Sequence, residues 1–119
     1  MFLSKNDIVT RAGNKEIVFW GCSEDWVPKS KILIPYVRRI VDIKWELLGS
    51  SWMGLDVISP DEVRKDLSDI YIVVTSGSLD SIQETLESWG LAAGDDYCFS
   101  PVFYEFRKCA TISNISGEV

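Results

Sequence analysis

Histidine is missing from this sequence of 119 residues, although proteins use it more than any other side chain as a general base and as a metal ligand. Its absence counts against an enzyme, but leaves open an enzyme built on carboxylates. Cysteine is scarce, since Cys22, Cys98 and Cys109 are the only three and no two of them form C-x-x-C. We therefore expect no metal site, and a reduced, cytoplasmic location fits the sequence best.

Long apolar runs and positive charge are also lacking. No run approaches the roughly 18 apolar residues of a membrane span, and the opening Met-Phe-Leu-Ser is too short for a signal peptide. The sequence has 12 Lys and Arg against 18 Asp and Glu, for a net charge of -6. Because a nucleic-acid binder needs a basic surface, we expect neither nucleic acid nor a membrane as a partner.

What is present is an organising strand, Glu16–Trp20. Its run of large apolar residues is typical of a strand that is covered on both faces of a parallel sheet. Gly21 then marks a turn, and a helix is predicted from Trp26 or Val27 to a stop before Pro35. The second continuous apolar run, Ile70–Val74, repeats this pattern. Its small-residue turn is Thr75-Ser76-Gly77-Ser78.

The segment between these two strands is less regular. Arg38 and Arg39 interrupt a second strand, Tyr36–Asp42, which predicts incomplete burial and a position closer to a sheet edge. Ile43–Leu55 is predicted as a long loop. Its Trp45 and Trp52 would lie near the mouth of a site, where ligand stacking and ordinary loop packing both stay open.

Helix starts carry clear local signals. Ser4 predicts the cap of a short leading helix that Gly13 ends, and Ser59 with Glu62 predicts a capping box with Pro60 in the first turn. The remaining predicted elements are a strand at Asp56–Ile58, a helix with Leu79, Ile82, Leu86 and Trp89 on one face, and a strand at Tyr97–Phe99.

Strands that alternate with helices at this spacing predict the α/β class. We expect a three-layer, open parallel sheet of about five strands in the order 3-2-1-4-5, with helices on both faces. Residues 1–101 would form a single domain. Residues 102–119 would form a docking or linker tail, because Phe103, Tyr104 and Phe106 are too apolar to stay free in water.

Three stretches also carry a resemblance: Ile17–Gly21, the strand that ends in Asp42, and Gly54–Glu62. They resemble, in the same order, the small Rossmann-like, NAD(P)-binding-like domains attached to bacterial sugar-tailoring and surface-polysaccharide biosynthesis proteins. The resemblance covers roughly residues 5–101. It implies a glycine fingerprint after the first strand and an acid at the end of the second. Asp42 matches the acid and Gly21 the first glycine, whereas Ser23 and Trp26 stand in place of the other two.

The crevice beyond the carboxyl ends of the strands is the default ligand site in such a sheet. Asp42 either contacts a ribose hydroxyl there or only ends its strand and accepts hydrogen bonds from the next loop. Cys22 lies at a helix start, which favours a thiolate, but the adjacent acids favour an inert thiol. No catalytic residue is assigned. The candidate ligand-binding residues are Gly21, Cys22, Ser23, Asp42, Thr75, Ser76, Gly77 and Ser78.

Two classes of function stay open. The favoured one is a non-catalytic accessory, regulatory or protein-interaction module in a sugar or cell-surface biosynthesis context, with a protein partner or a homodimer. The alternative is a nucleotide- or nucleotide-sugar-binding domain of a larger enzyme. No cofactor is expected except NAD(P) or a nucleotide sugar under that alternative. Glu24 and Asp25, at a helix start, predict that no dinucleotide pyrophosphate binds tightly.

Overall fold

The computed structural model describes residues 1–103, and within them the chain forms a mixed α/β fold. The predicted role of residues 102–119 falls almost entirely outside the described residues. The helices are α1 (Lys5–Ala12), α2 (Val27–Leu33), α3 (Trp45–Leu48), α4 (Pro60–Arg64) and α5 (Leu79–Ser88), with a 3-10 turn at Leu67–Asp69. The strands are β1 (Glu16–Trp20), β2 (Arg39–Val41), β3 (Ser51–Trp52), β4 (Leu55–Ile58), β5 (Ile70–Val74) and β6 (Tyr97–Phe99).

The sheet has six strands in the order β3-β4-β2-β1-β5-β6, so the predicted five strands in the order 3-2-1-4-5 are corrected. Every pairing is parallel except that of β3 with β4. The additional strand arises because Met53 and Gly54 turn tightly, with φ of 50° and 78°. Asn-Gly or Asp-Gly usually signals such a turn. Met-Gly carries no such signal, so the sequence of Ile43–Leu55 indicates a loop rather than a hairpin.

The position of β2 also differs from the prediction. It lies inside the sheet between β1 and β4, and Ile40 and Val41 are fully buried. Arg39 is compatible with this position because its guanidinium leaves the sheet at the amino end of the strand. There it donates two hydrogen bonds of 2.9 Å to the carboxylate of Glu16 and one of 3.4 Å to Asp66. The hydrogen bonds with Glu16 raise the pKa of Arg39.

Both faces of the sheet are covered, and alternate residues of β1 show how. Ile17 and Phe19 belong to one buried cluster with residues of α1 and α2. Val18 and Trp20 belong to the other, with residues of α4 and α5. A strand that alternates between two apolar faces needs no polar positions, and this explains its continuous apolar run.

The predicted serine caps of two helices are confirmed. The hydroxyl of Ser4 accepts a hydrogen bond from the amide of Asp7, and that of Ser59 accepts one from the amide of Glu62. The helix after Ser59 is short, since Leu67 already lies in the 3-10 turn. No helix among the described residues is long and apolar enough to cross a membrane.

Candidate functional site

A cleft of about 540 Å³ opens at the carboxyl ends of β1, β2 and β5. Gly21, Asp42 and Ser76, which follow these three strands, all line it. The chain leaves β1 through α2 on one face of the sheet and leaves β5 through α5 on the other face. Where the connections after two neighbouring parallel strands lie on opposite faces of the sheet, a crevice opens between the ends of those strands.

The loops after β1 and β5 are pressed together at the floor of this cleft. Gly21 donates its amide to the carbonyl of Val41 at 2.8 Å and accepts a 2.8 Å hydrogen bond from the hydroxyl of Thr75. Gly21 has a φ of 115°, and a Cβ there would overlap the Cβ of Ser76 and lie 3.2 Å from its Cα. Glycine is therefore required for both its backbone conformation and its close approach to Ser76.

Asp42 joins the loop after β2 to the loop after β1. One carboxylate oxygen accepts the amide of Cys22 at 2.9 Å, and the other accepts the amide of Lys44 at 2.8 Å. The bond to Lys44 is the contact with the following loop that one of the two interpretations of Asp42 predicts. Both oxygens keep a further lone pair, so a ligand contact stays a prediction.

Cys22 lines the cleft as a protonated thiol. Burial raises its pKa to about 12, and the neighbouring carboxylate of Asp42 acts in the same direction. Since the thiolate is the nucleophilic form of cysteine, the raised pKa disfavours a nucleophilic role for Cys22 at neutral pH.

Two walls flank the cleft, on either side of β1. One is the face of α5 that carries Ile82 together with hydroxyl side chains, and the other is the segment after β2 that includes Ile43 and Leu48. Lys44 on the second wall is exposed and has no ion-pair partner within residues 1–103. With Asp42 and Lys44 as its charged residues, the cleft is close to neutral in total charge.

Five of the eight predicted site residues line the cleft: Gly21, Cys22, Asp42, Ser76 and Ser78. The other three do not. Thr75 is buried and donates its hydroxyl to Gly21, Ser23 accepts the amide of Trp26 at 3.3 Å near the start of α2, and Gly77 is exposed.

Apart from Trp20 and Ile82, the lining residues that the sequence analysis missed fall into two groups. Ser81 and Thr85 lie three and seven positions after Ser78, a helical spacing that would have placed their hydroxyls on one face. The segment after Asp42 offered no comparable signal, because the four-residue helix α3 has no side-chain cap. That second group is Ile43, Lys44 and Leu48.

Packing against other residues, rather than a role in the cleft, explains the positions of most tryptophans. Trp20 and Trp89 pack 5.4 Å apart between ring centroids, and Trp26 packs 4.0 Å from Phe103. Trp52 packs against the cluster under α1 and α2, whereas Trp45 is 41% exposed and does not line the cleft. The predicted loop that carries these last two is in fact α3 followed by β3.

The start of α2 lies outside the cleft. Of the described residues, none between Ser23 and Ile34 lines it, and Glu24 and Asp25 are exposed. In the part of the chain that the structure describes, no three His, Cys, Asp or Glu side chains group as metal ligands would.

Comparisons of the chain with protein-family models, with curated proteins and with solved structures found no match. Function therefore has to be argued from the chemistry of the cleft.

Proposed function

We propose that this chain is a non-catalytic Rossmann-like module that acts as an accessory, regulatory or protein-interaction domain in a sugar or cell-surface biosynthesis context. The observation that carries the proposal is the inert chemistry of the cleft. The Cys22 thiol has its pKa raised to about 12, and both carboxylate oxygens of Asp42 already accept backbone amides. The chain has no histidine, so none of the described hydroxyl or thiol groups that line the cleft has an imidazole base to activate it.

The Rossmann-like character of the fold is also proposed. It is supported by the five parallel strands, which run β4-β2-β1-β5-β6, and by a cleft at the point where the connections reverse. The biosynthetic context is supported by the sequence resemblance alone.

The alternative function is a nucleotide- or nucleotide-sugar-binding domain of a larger enzyme. Two observations favour it. The cleft volume of about 540 Å³ falls within the usual range for ligand pockets, about 300–1,000 Å³. Asp42 also stands at the end of β2, where an acid would meet a ribose hydroxyl.

A dinucleotide is the least favoured ligand of that group. Its pyrophosphate would cross the strand ends beside the start of α2, where backbone amides and glycines normally receive it. Here Ser23 and Trp26 replace two of the glycines, and the cleft does not extend over α2 within the described residues. We therefore keep the prediction that NAD and NADP do not bind tightly.

A thermal-shift screen against NAD, NADP, nucleotide sugars and S-adenosylmethionine tests the proposal. A ligand at 100 times its dissociation constant would stabilise the protein by about 2.7 kcal/mol, or roughly 10 °C. No shift is expected. A shift with a nucleotide sugar that Asp42→Asn abolishes and Asp56→Asn retains would support the alternative instead. A micromolar calorimetric isotherm for NAD would overturn the non-catalytic proposal.

A protein partner, with a second copy as the simplest case, is also part of the proposal. Ile43 and Leu47, at either side of Trp45, are 75% and 85% exposed, and β3 forms an edge of the sheet. Exposed apolar groups beside a sheet edge favour association. Light scattering should give a dimer mass that Leu47→Lys reduces, with Lys65→Ala as a control. A monomer at high concentration would contradict the homodimer.

A further inference from the structure

The polar lining of the cleft is dominated by hydroxyl groups on one side. The hydroxyl of Ser78 makes no hydrogen bond within the described residues, and that of Ser76 accepts the amide of Ser78 at 3.2 Å, which leaves its own proton available. Ser81 and Thr85 instead donate their protons to backbone carbonyls at 3.3 Å and 3.1 Å, which leaves their lone pairs available. This wall therefore offers both donors and acceptors to a ligand.

The rest of the lining is mainly apolar. Ile43 and Leu48 line the cleft on the β2 side of β1, and Ile82 lines it among the hydroxyls of α5. A ligand between the two walls therefore meets hydroxyls on the α5 side, and Ile43 and Leu48 beside the charged Asp42 and Lys44 on the β2 side. Such a ligand does not reach the start of α2, because no residue from Ser23 to Ile34, all within the described part of the chain, lines the cleft.

We propose that the cleft binds a compact, uncharged sugar, with its hydroxyl edge against α5 and its C–H face against Ile43 and Leu48. The inference goes beyond the proposed function, which assigns no reaction and no ligand to the cleft. A sugar hydroxyl both donates and accepts, so it satisfies the available protons of Ser76 and Ser78 and the lone pairs of Ser81 and Thr85.

A phosphate or pyrophosphate fits the same lining less well. Its ionised oxygens accept hydrogen bonds, so Ser81 and Thr85 would have to give up their bonds to backbone carbonyls before they could donate to it. The carboxylate of Asp42 would add repulsion, and Lys44, the one basic residue among the lining residues of the described chain, is exposed at the surface. A hydroxyl-rich neutral ligand leaves fewer polar groups unpaired.

The test uses the full chain and five separate probes: saturation-transfer NMR for glucose, galactose, N-acetylglucosamine and uridine, and 31P line broadening for inorganic pyrophosphate, which has no C–H protons. Sugars are used at up to about 50 mM, because about 12 ligand atoms at ordinary ligand efficiency give only millimolar affinity. The key variant is Ser81→Leu. Its matched control is Ser88→Leu, since both serines are exposed on α5 and both donate to the carbonyl three residues earlier, but only Ser81 lines the cleft.

We expect at least one monosaccharide to receive saturation, with an affinity that Ser81→Leu lowers by at least about tenfold and Ser88→Leu leaves within about twofold. Binding that both variants retain would place the sugar elsewhere and overturn the inference. Binding of uridine or pyrophosphate alone would overturn the assignment of a sugar as the ligand. The absence of binding by all five probes would overturn it as well. None of these three negative results bears on catalytic inertness, which the nucleotide screen and calorimetry test separately.

Discussion

The two ends of the sheet are held together by different chemistry. At the amino end, Arg39 bridges Glu16 and Asp66 through ionic hydrogen bonds between side chains that are 24%, 40% and 45% exposed. At the carboxyl end, the loops are joined by backbone groups, by Asp42 and by the close approach of Gly21 to Ser76.

The contacts at the amino end are replaceable, whereas those at the carboxyl end determine the path of the chain. Exposed ion pairs contribute little because water and salt screen them and because long side chains lose entropy when they pair. Backbone hydrogen bonds and glycine contacts allow little adjustment, since moving one loop moves its neighbour. The end with these less adjustable contacts is the end with the candidate site.

The largest effect is expected for Gly21→Ala. The added methyl group would overlap Ser76 in a backbone with a φ of 115°, so we expect a loss of about 3 kcal/mol in the free energy of unfolding. Gly90→Ala is the control, because Gly90 has a φ of 85° and nothing within 4 Å of an added Cβ, and it should cost about 1 kcal/mol. Urea unfolding measures both. Equal losses would show that the contact with Ser76 is unimportant, and Ser76→Gly should partly rescue Gly21→Ala.

Asp42→Ala should come next. It removes the acceptor of the Cys22 and Lys44 amides at the carboxyl end, and we expect a loss of about 2 kcal/mol because the Cys22 amide is partly buried. Asp56→Ala is the matched control, since Asp56 is an exposed aspartate on β4 and should change stability by less than about 0.5 kcal/mol. A loss for Asp42→Ala no larger than that of the control would contradict the role given to this carboxylate.

A smaller effect is expected at the amino end. Arg39→Met removes a partly exposed ion pair and should cost about 1 kcal/mol at low salt. Most of that loss should disappear in 1 M NaCl, where the Debye length is about 3 Å, whereas the loss for Asp42→Ala should persist. Denaturation at two salt concentrations gives both values. If the two variants respond alike to salt, the contrast between the ends is wrong.

The effect that is smallest at neutral pH appears only under alkaline conditions. Burial and Asp42 raise the pKa of Cys22 to about 12, while an unfolded thiol has a pKa of about 8.5. Above pH 9 the unfolded chain therefore loses the proton first, and the stability that the thiol contributes falls as the pH rises toward 12. Melting temperatures from pH 7 to 10.5 should fall less steeply for Cys22→Ala. Cys98→Ala is a comparison, because burial raises the pKa of that thiol to about 12 as well. Parallel curves for Cys22→Ala and the unmodified chain would contradict this assignment.

The sequence by itself determined the elements whose causes are local. The apolar runs of β1 and β5 indicated strands covered on both faces, and Ser4 and Ser59 marked helix starts because each cap bonds an amide only three residues away. The strand ends also located the cleft, since parallel strands collect their carboxyl ends at one edge.

Only the tertiary structure decided which groups meet. The inner position of β2 could not be predicted from its arginines, because the carboxylates that neutralise Arg39 come from other parts of the chain. Thr75 carries the same hydroxyl as its neighbours but donates it to Gly21, which lies 54 positions earlier, and so leaves the cleft to Ser76 and Ser78. Periodicity and capping report on burial and on neighbours within a few residues, whereas a site is formed by contacts between distant segments, which no local pattern encodes.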